Sequence, residues 1–241
     1  MLKSGDKVAH YTVEKLLGTG GMGEVYLAID ERLHRKVALK IMTRAAGVAE
    51  SKESAARLLR EARAAASLTH PNVVSVFDVG DADGRVFLAM EYVVGKTLRE
   101  LLVARDALWQ RKIRWLVDAA RALGAAHRSG LVHRDIKPEN VMVRDDGLVK
   151  VLDFGIARRT GGTVDPTGRT EVAAIDIGTL TGKGLLIGTP MYMAPEQLKG
   201  GTPDPRTEQF AGGVMAFEVL AGERPWPTKS YLLASIATIL T

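Results

Sequence analysis

The hydrophobic period of this chain changes once, and that change limits the folds open to it. Up to about residue 92, the runs YTVEKLLG, EVYLAID, KVALKIM, PNVVSVFDVG and RVFLAMEYVV are rich in strand formers. Glycine or charged turns bound them, one being DADG. A single helical run, ESKESAARLLREARAAASL, interrupts them, with Ala55, Leu58, Leu59 and Ala62 at helical spacing. Beyond EYVVGKTL the pattern is mostly helical. Ile113, Leu116, Val117 and Ala120 predict one face of a helix from about Trp109 to Arg128, and Phe210, Val214 and Phe217 mark a later helix. Short strands around Val141 and Val149 flank the turn RDDG. A strand-rich block followed by a helix-rich block argues for an α+β fold in two lobes. The expected division is a five-stranded antiparallel sheet with one main helix at 1–92, then a helical lobe at 93–241, with EYVVGKTL as connector.

The polar residues point to one reaction. VHRDIKPENVM places Asp135, Lys137 and Asn140 at short fixed offsets, and LDFGIA adds Asp153. A carboxylate, an ammonium, an amide and a second carboxylate can together move a phosphoryl group from a metal-bound nucleotide to a hydroxyl. In GTGGMGEV, Gly18, Gly20 and Gly23 precede Val25. Glycine lets a backbone approach phosphates closely. A dinucleotide-binding turn would lie between a strand and a helix, whereas this one lies between two strand-like runs. Lys40 ends the apolar run VALK, where an unpaired ammonium would be costly to bury. A phosphate on one side and a carboxylate on the other resolve that cost. Glu61 in LLREARAA is the carboxylate of choice over Glu53, because the apolar pattern surrounds it.

Taken in order, these motifs resemble the eukaryotic-like (Hanks-type) Ser/Thr protein kinases of bacteria, from about Tyr11 to about Pro227. The offsets are that family's known signature, so they are matched here and not discovered. The resemblance implies a non-specific serine/threonine protein kinase that uses ATP and Mg²⁺ on Ser and Thr hydroxyls of protein substrates in signal transduction. Asp135 would accept or orient the proton of the attacking hydroxyl. Lys137 would neutralise charge on the transferred phosphoryl, and its being Lys favours Ser/Thr over Tyr. Asn140 and Asp153 would hold Mg²⁺, which prefers oxygen ligands. Lys40 and Glu61 would pair. Leu17, Gly18, Gly20, Gly23, Val25, Ala38 and Lys40 would surround ATP, with Met90 as gatekeeper and Glu91 and Val93 in the hinge that meets adenine. His133 and Phe154 would be stacked core residues, and Arg134 would meet a loop phosphate.

The activation segment would span 153–196 and end in GTPMYMAPE. There Thr189 would contact Asp135, while Thr179 and Thr181 are candidates for autophosphorylation. Between the two anchors lie ~40 residues, far beyond ordinary connection lengths. A homodimer through the small lobe follows by analogy. The alternative is a nucleotide-binding pseudokinase or kinase fragment acting by protein interaction. The intact set Lys40, Asp135, Asn140 and Asp153 favours activity.

Composition removes several other classes. With no cysteine, disulfides and thiolate metal sites are excluded. The net charge of +5 comes from scattered Lys and Arg without interleaved aromatics, which argues against nucleic acid as a partner. No apolar stretch approaches the roughly 18 residues of a spanning helix, nor does the start of the chain read as a signal peptide, so the expected location is cytoplasmic.

Two departures from the family pattern stand out. PRTEQFAGG places Glu208 where the family has an Asp that braces the catalytic loop, and Gly212 and Gly213 follow in the same helix. The longer acid is expected to fit poorly, so Glu208→Asp is expected to leave or improve activity and stability. The family also pairs the Glu of its A-P-E motif, here Glu196, with an Arg from later helices. No residue after Pro227 matches that Arg, and a buried, charged Glu196 without it would cost on the order of 3 kcal/mol. The tail YLLASIATIL is apolar along nearly its whole length and reads as an exposed patch.

Overall fold

A computed structural model of the chain describes residues 1–20, 23–42, 59–60, 62–82, 84–104, 107–154, 190–199 and 201–226. The described chain forms two units, Met1–Val94 and the residues from Gly95 onward.

The first unit is built on an antiparallel sheet of β1 (Lys7–Val8), β2 (Tyr11–Gly20), β3 (Gly23–Asp30), β4 (Arg35–Met42), β5 (Val76–Ala82) and β6 (Arg85–Glu91), in the order β1-β2-β3-β4-β6-β5. The five expected strands are all there. The sixth, β1, has two residues and pairs Val8 with Tyr11. A two-residue strand is too short to show any period in sequence. Successive strand residues face opposite sides of the sheet, and β4 shows it plainly. Val37, Leu39 and Ile41 join Tyr11, Val13, Tyr26, Ala28, Phe87 and Ala89 in one buried cluster. Tyr11 meets the edge of Phe87 with ring centroids 5.6 Å apart. The β3–β4 turn is fastened by buried Asp30, whose Oδ1 accepts the N–H groups of Arg32 at 3.0 Å and Leu33 at 3.1 Å. Burial pushes the Asp30 carboxyl up, but these two bonds, with His10 and Arg35 nearby, hold it below its ordinary value. Helical residues at 59–60 and 62–66 (α1) bury Ala62 and Ala65.

The second unit pairs a small antiparallel sheet with helices. Its strands are β7 (Gly95–Thr97), β8 (Val141–Arg144) and β9 (Val149–Val151), and its helices are α2 (Leu98–Ala104), α3 (Trp109–Arg128), α4 (Pro195–Leu198) and α5 (Pro205–Ala221). The α3 bounds match the sequence reading, but its inner face does not. Trp115, Ala119, Ala122, Leu123 and Ala126 are buried, while Ile113, Val117 and Ala120 are exposed. α3 packs against α5 and β9. Alanines let helices approach closely, so close packing selected the Ala stripe over the more hydrophobic one. Phe217 on α5 is likewise exposed, whereas Val214 is buried.

α5 begins at a capping box. Asp204 accepts the N–H of Arg206 at 2.8 Å and of Thr207 at 3.1 Å, and the Thr207 hydroxyl returns to the Asp204 N–H at 3.2 Å. Pro205 starts the helix, and Gly222 ends it at φ 82°. Together the units are the two lobes of an α+β protein, with strands dominating the first and helices the second.

Candidate active site

In the first unit, the sheet register gathers the residues expected around a nucleotide. Val25 pairs with Lys40, Leu27 with Ala38, and Ala38 with Met90. Cross-strand partners share a face, and so do residues two apart on one strand. Val25, Ala38, Lys40 and Met90 therefore lie on the sheet face opposite the Tyr26–Val37–Leu39 core. Lys40 and Met90 are buried, and Leu17 is half exposed on β2. The β2–β3 hairpin pairs Gly18 with Val25 and Gly20 with Gly23. At Gly23 the chain itself demands glycine, because φ is 143° and a Cβ would lie 2.1 Å from the Ile41 carbonyl oxygen. At Gly18 and Gly20 a Cβ would meet nothing within 4 Å. Among the described residues, packing does not call for glycine at those two places, and nothing occupies the space above them. Glu91 closes the end of β6 by donating its N–H to the Ser75 carbonyl at 2.9 Å, and Val93 is buried just beyond. Glu61, the expected partner of Lys40, lies outside the described residues.

In the second unit, the loop between α3 and β8 carries the densest polar geometry. Lys137 Nζ is 2.7 Å from Asp135 Oδ2. The Asn140 side-chain amide donates to the Asp135 backbone oxygen at 2.7 Å and to Asp135 Oδ2 at 3.0 Å. One carboxylate oxygen is thus held by an ammonium and an amide. The Asn140 amide, oriented by these bonds, has its Oδ1 as the atom suited to a cation. Ile136 anchors the loop in the core, and the 3₁₀ turn Pro138–Asn140 brings Asn140 back towards Asp135.

His133 is fully buried, and its two ring nitrogens define its tautomer. Nε2–H donates to the Leu152 carbonyl at 2.6 Å, and Nδ1 accepts the Asp135 N–H at 3.3 Å. The ring is therefore neutral, and burial pushes its pKa below the ordinary value. It also lies against Phe154, with centroids 4.8 Å apart. His133 thus ties the Asp135 loop to the segment carrying Asp153, as does the Leu152 N–H donated to the Asn140 carbonyl at 2.9 Å. Arg134 and Asp153 both have left-handed backbones, at φ 69° and 53°. Such non-glycine residues persist only where their surroundings hold them.

Glu208 corrects the sequence expectation. It is 2% exposed, its Oε1 accepts the Arg134 N–H at 2.5 Å, and its Oε2 meets His127 Nε2 at 2.6 Å. The longer acid reaches the catalytic loop from the first turn of α5, where a negative charge also suits the helix N-terminus. Expected misfit becomes full satisfaction because α3 supplies a histidine to the second oxygen. Nothing in the sequence ties His127 to Glu208, which lies 81 residues away.

A second polar cluster was also not read from the sequence. Arg99 on α2 donates to Glu139 at 2.7 Å, to Glu218 at 2.7 Å and to the Tyr192 hydroxyl at 2.6 Å. Tyr192 also bonds Glu218, and Arg224 lies 3.3 Å from Glu218. Burial, then the Glu218 bond, pushes the Tyr192 hydroxyl up to about 12. Burial raises the Glu218 carboxyl too, but Arg99 and Tyr192 outweigh it and hold it below its ordinary value. The cluster joins α2, the Asp135 loop, the 190–192 turn and α5. Glu139 and Tyr192 lie inside the KPEN and GTPMYMAPE runs, whereas Arg99 and Glu218 lie in no motif. Glu196 is exposed on α4, so the expected cost of burying it unpaired does not arise. Thr179, Thr181 and Thr189 lie outside the described residues, as does the apolar tail.

Comparison with known proteins agrees with this geometry. The sequence profile described as the protein kinase domain matches residues 11–239. The chain is 39% identical over 221 residues to the serine/threonine-protein kinase PknB of Mycobacterium leprae, covering 90% of this chain and 33% of that protein. It is 38% identical over 225 residues to PknL of Mycobacterium bovis, covering 93% of this chain and 52% of that protein. The crystal structure of the M. tuberculosis PknI kinase domain superposes with a TM-score of 0.71 at 31% identity, covering 96% of this chain and 80% of that one. The chain belongs to the protein kinase domain family and has the two-lobed fold of that family. It spans between a third and about half of the length of these curated relatives. Among the described residues, no helix is long and apolar enough to cross a membrane.

Proposed function

We propose that this chain is the catalytic domain of a Ser/Thr protein kinase, transferring the γ-phosphoryl group of ATP to Ser or Thr hydroxyls of protein substrates. One observation carries the reading: the Asp135 carboxylate is held by Lys137 and Asn140 on a loop whose backbone is fixed by His133 and Glu208. Asp135 accepts or orients the proton of the attacking hydroxyl. Lys137, now paired with Asp135, is placed to balance charge on the transferred group. Lys40 contacts the nucleotide phosphates from β4, and the open backbone at Gly18 and Gly20 leaves room for them. Leu17, Val25, Ala38 and Met90 enclose the base, with Glu91 and Val93 in the adjoining hinge. We take Met1–Val94 and the residues from Gly95 as the small and large lobes.

Among the described residues no three His, Cys, Asp or Glu side chains gather as a metal cage. Mg²⁺ is commonly held by one or two protein oxygens and completed by substrate phosphates and water. The Asn140 amide oxygen and the Asp153 carboxylate would hold it. When bound, the ion neutralises phosphate charge and orients the γ-phosphoryl group. The segment 153–196, with Thr179, Thr181 and Thr189, is the place where phosphorylation would order the substrate site. The pseudokinase alternative draws on two departures from the family pattern, Glu208 and the unmatched Arg for Glu196; Glu208 makes the loop contacts a bracing acid makes, which removes the first of them.

The test is incubation of the purified chain with labelled ATP and Mg²⁺ alongside Asp135→Ala, followed by mass spectrometry of residues 160–189. Phosphate on the wild type alone is expected. A folded, ATP-binding wild type that transfers nothing to itself or to an added protein would overturn the reading.

A further inference from the structure

We propose that the corner between α2 and α3 is a docking surface for an anionic lipid membrane. Leu108, Trp109 and Ile113 would enter the lipid, with Arg111, Lys112 and Arg114 on the headgroups. The proposal goes beyond the phosphoryl-transfer reading above and does not depend on it.

The argument begins with what α3 leaves outside. Its inner stripe of Trp115, Ala119, Ala122 and Ala126 is buried, and the helix packs against α5 and β9. Residues four apart share a helix face, so Trp109, Ile113 and Val117 form a second apolar stripe, turned about half a revolution from the first. All three are exposed, Trp109 at 62%. The apolar residues that precede them project further: Val103 near the end of α2 is 78% exposed and Leu108 is 70% exposed. Single apolar side chains on a surface are ordinary, but a run of them at one corner marks an interaction site.

Charge selects the partner. From Ala107 to Val117 the chain carries Arg111, Lys112 and Arg114 and no acid. Arg111 and Arg114 are exposed and Lys112 is half-buried, with the Arg111 guanidinium 5.6 Å from the centre of the Trp115 ring. Helix stability does not account for these cations, because positive charge near a helix N-terminus opposes its dipole. Leu108 stands at the N-cap without a side-chain bond, whereas α5 in the same unit has the polar cap that α3 lacks. An apolar stripe with a tryptophan, flanked by Lys and Arg, is the pattern of a helix lying in a membrane interface. There the ring and aliphatic groups enter the acyl boundary, and the cations meet lipid phosphates. Projecting side chains suit a layer that yields around them, while a protein partner would need a matching cavity. Trp109 and Arg128 are about 30 Å apart along α3, so docking at the start of the helix stays clear of its far end, which leads into the loop carrying Asp135.

The experiment measures binding of the purified chain to phosphatidylcholine vesicles, with and without about a third phosphatidylglycerol. Cosedimentation reads affinity, and brominated acyl chains read contact by quenching tryptophan emission. Wild type is expected on the anionic vesicles alone, and about 1 M salt, which cuts electrostatic reach to ~3 Å, releases it. The triple variant Arg111→Glu, Lys112→Glu, Arg114→Glu binds about a hundredfold more weakly or worse, since each cation at such a surface contributes about fivefold. Leu108→Ser with Trp109→Ser weakens binding about tenfold or more. Leu33→Ser, which removes an exposed apolar side chain from the first unit, leaves it unchanged. Trp109→Leu keeps binding but loses most of the quenching, because Trp115 is buried and Trp226 half-buried. Wild type that ignores the anionic vesicles, binding that survives the triple reversal, or quenching that survives Trp109→Leu overturns the proposal. A dimer in sedimentation velocity that Leu108→Ser with Trp109→Ser dissolves, without vesicle binding, assigns the face to a second copy and overturns it as well. Should the triple reversal fail to fold, Gln at the same three positions replaces it in the same comparison. A wild type without phosphoryl transfer defeats the functional reading alone, and vesicle binding still decides this one.

Discussion

Glu208→Asp separates the structural reasoning from the simpler expectation that the shorter acid should be welcome. The substitution removes one C–C bond length, ~1.5 Å, from the reach of the carboxylate. Both contacts are short, at 2.5 Å to the Arg134 N–H and 2.6 Å to His127 Nε2. Withdrawing the group along the stem lengthens each towards about 4 Å, beyond the hydrogen-bond range. Rotation can rescue one of them, but the two partners sit on separate elements, so both cannot be kept. The loss is one charge-assisted bond at a buried site, which leaves a donor or an oxygen unsatisfied at a cost of about 2 kcal/mol. For a domain of this size, that lowers Tm by roughly 4–8 °C. The chain's three tryptophans are Trp109, Trp115 and Trp226, all in the second unit, so their fluorescence reports melting where the change is made. Thermal melts at neutral pH should show the drop in the variant. A Tm equal to or above that of the wild type refutes the account of Glu208 as a well-satisfied brace.

If Asp153 holds the metal as proposed, Asp153→Asn should reduce Mg²⁺-dependent transfer by about a hundredfold or more while leaving the circular dichroism spectrum unchanged, since it would remove a metal charge partner and little packing. Retained transfer would sink the metal assignment. Gly213→Ala should stabilise α5 by roughly 0.5–1 kcal/mol, because the site is helical and exposed and an added Cβ meets none of the described residues within 4 Å. A destabilised variant in urea melts contradicts it. His133 is held neutral, with its folded pKa below the ordinary 6.5, so the unfolded chain takes up that proton first as the medium is acidified. Stability is therefore full above about pH 6.5 and declines as pH falls below it. Melts at pH 7.5 and 5.5 should show the lower Tm at 5.5, with a smaller difference in His133→Phe. An equal difference in both would assign the pH dependence to other groups.

Much of this protein could be read without coordinates because the governing physics is local. Strand and helix periods marked the five main strands and located α3 to its ends. The order of motifs named the loop carrying Asp135, Lys137 and Asn140, since those residues are brought together by a turn of six residues. The family resemblance implied that Val25, Ala38, Lys40 and Met90 go together; strand alternation puts only Ala38 and Lys40 on one face, and the register β3–β4–β6 adds Val25 and Met90 to it. What the sequence could not decide was every contact that joins distant segments. Which stripe of α3 turns inward depended on how closely α5 and β9 approach, and small alanines won over Ile113 and Val117. Whether Glu208 is a misfit or a brace depended on His127, whose place beside it exists only once α3 and α5 are packed. The Arg99–Glu139–Tyr192–Glu218 cluster likewise draws one polar group from each of several elements. A sequence records which charges exist, but a buried charge is cheap or costly according to its partners, and only the tertiary structure supplies those.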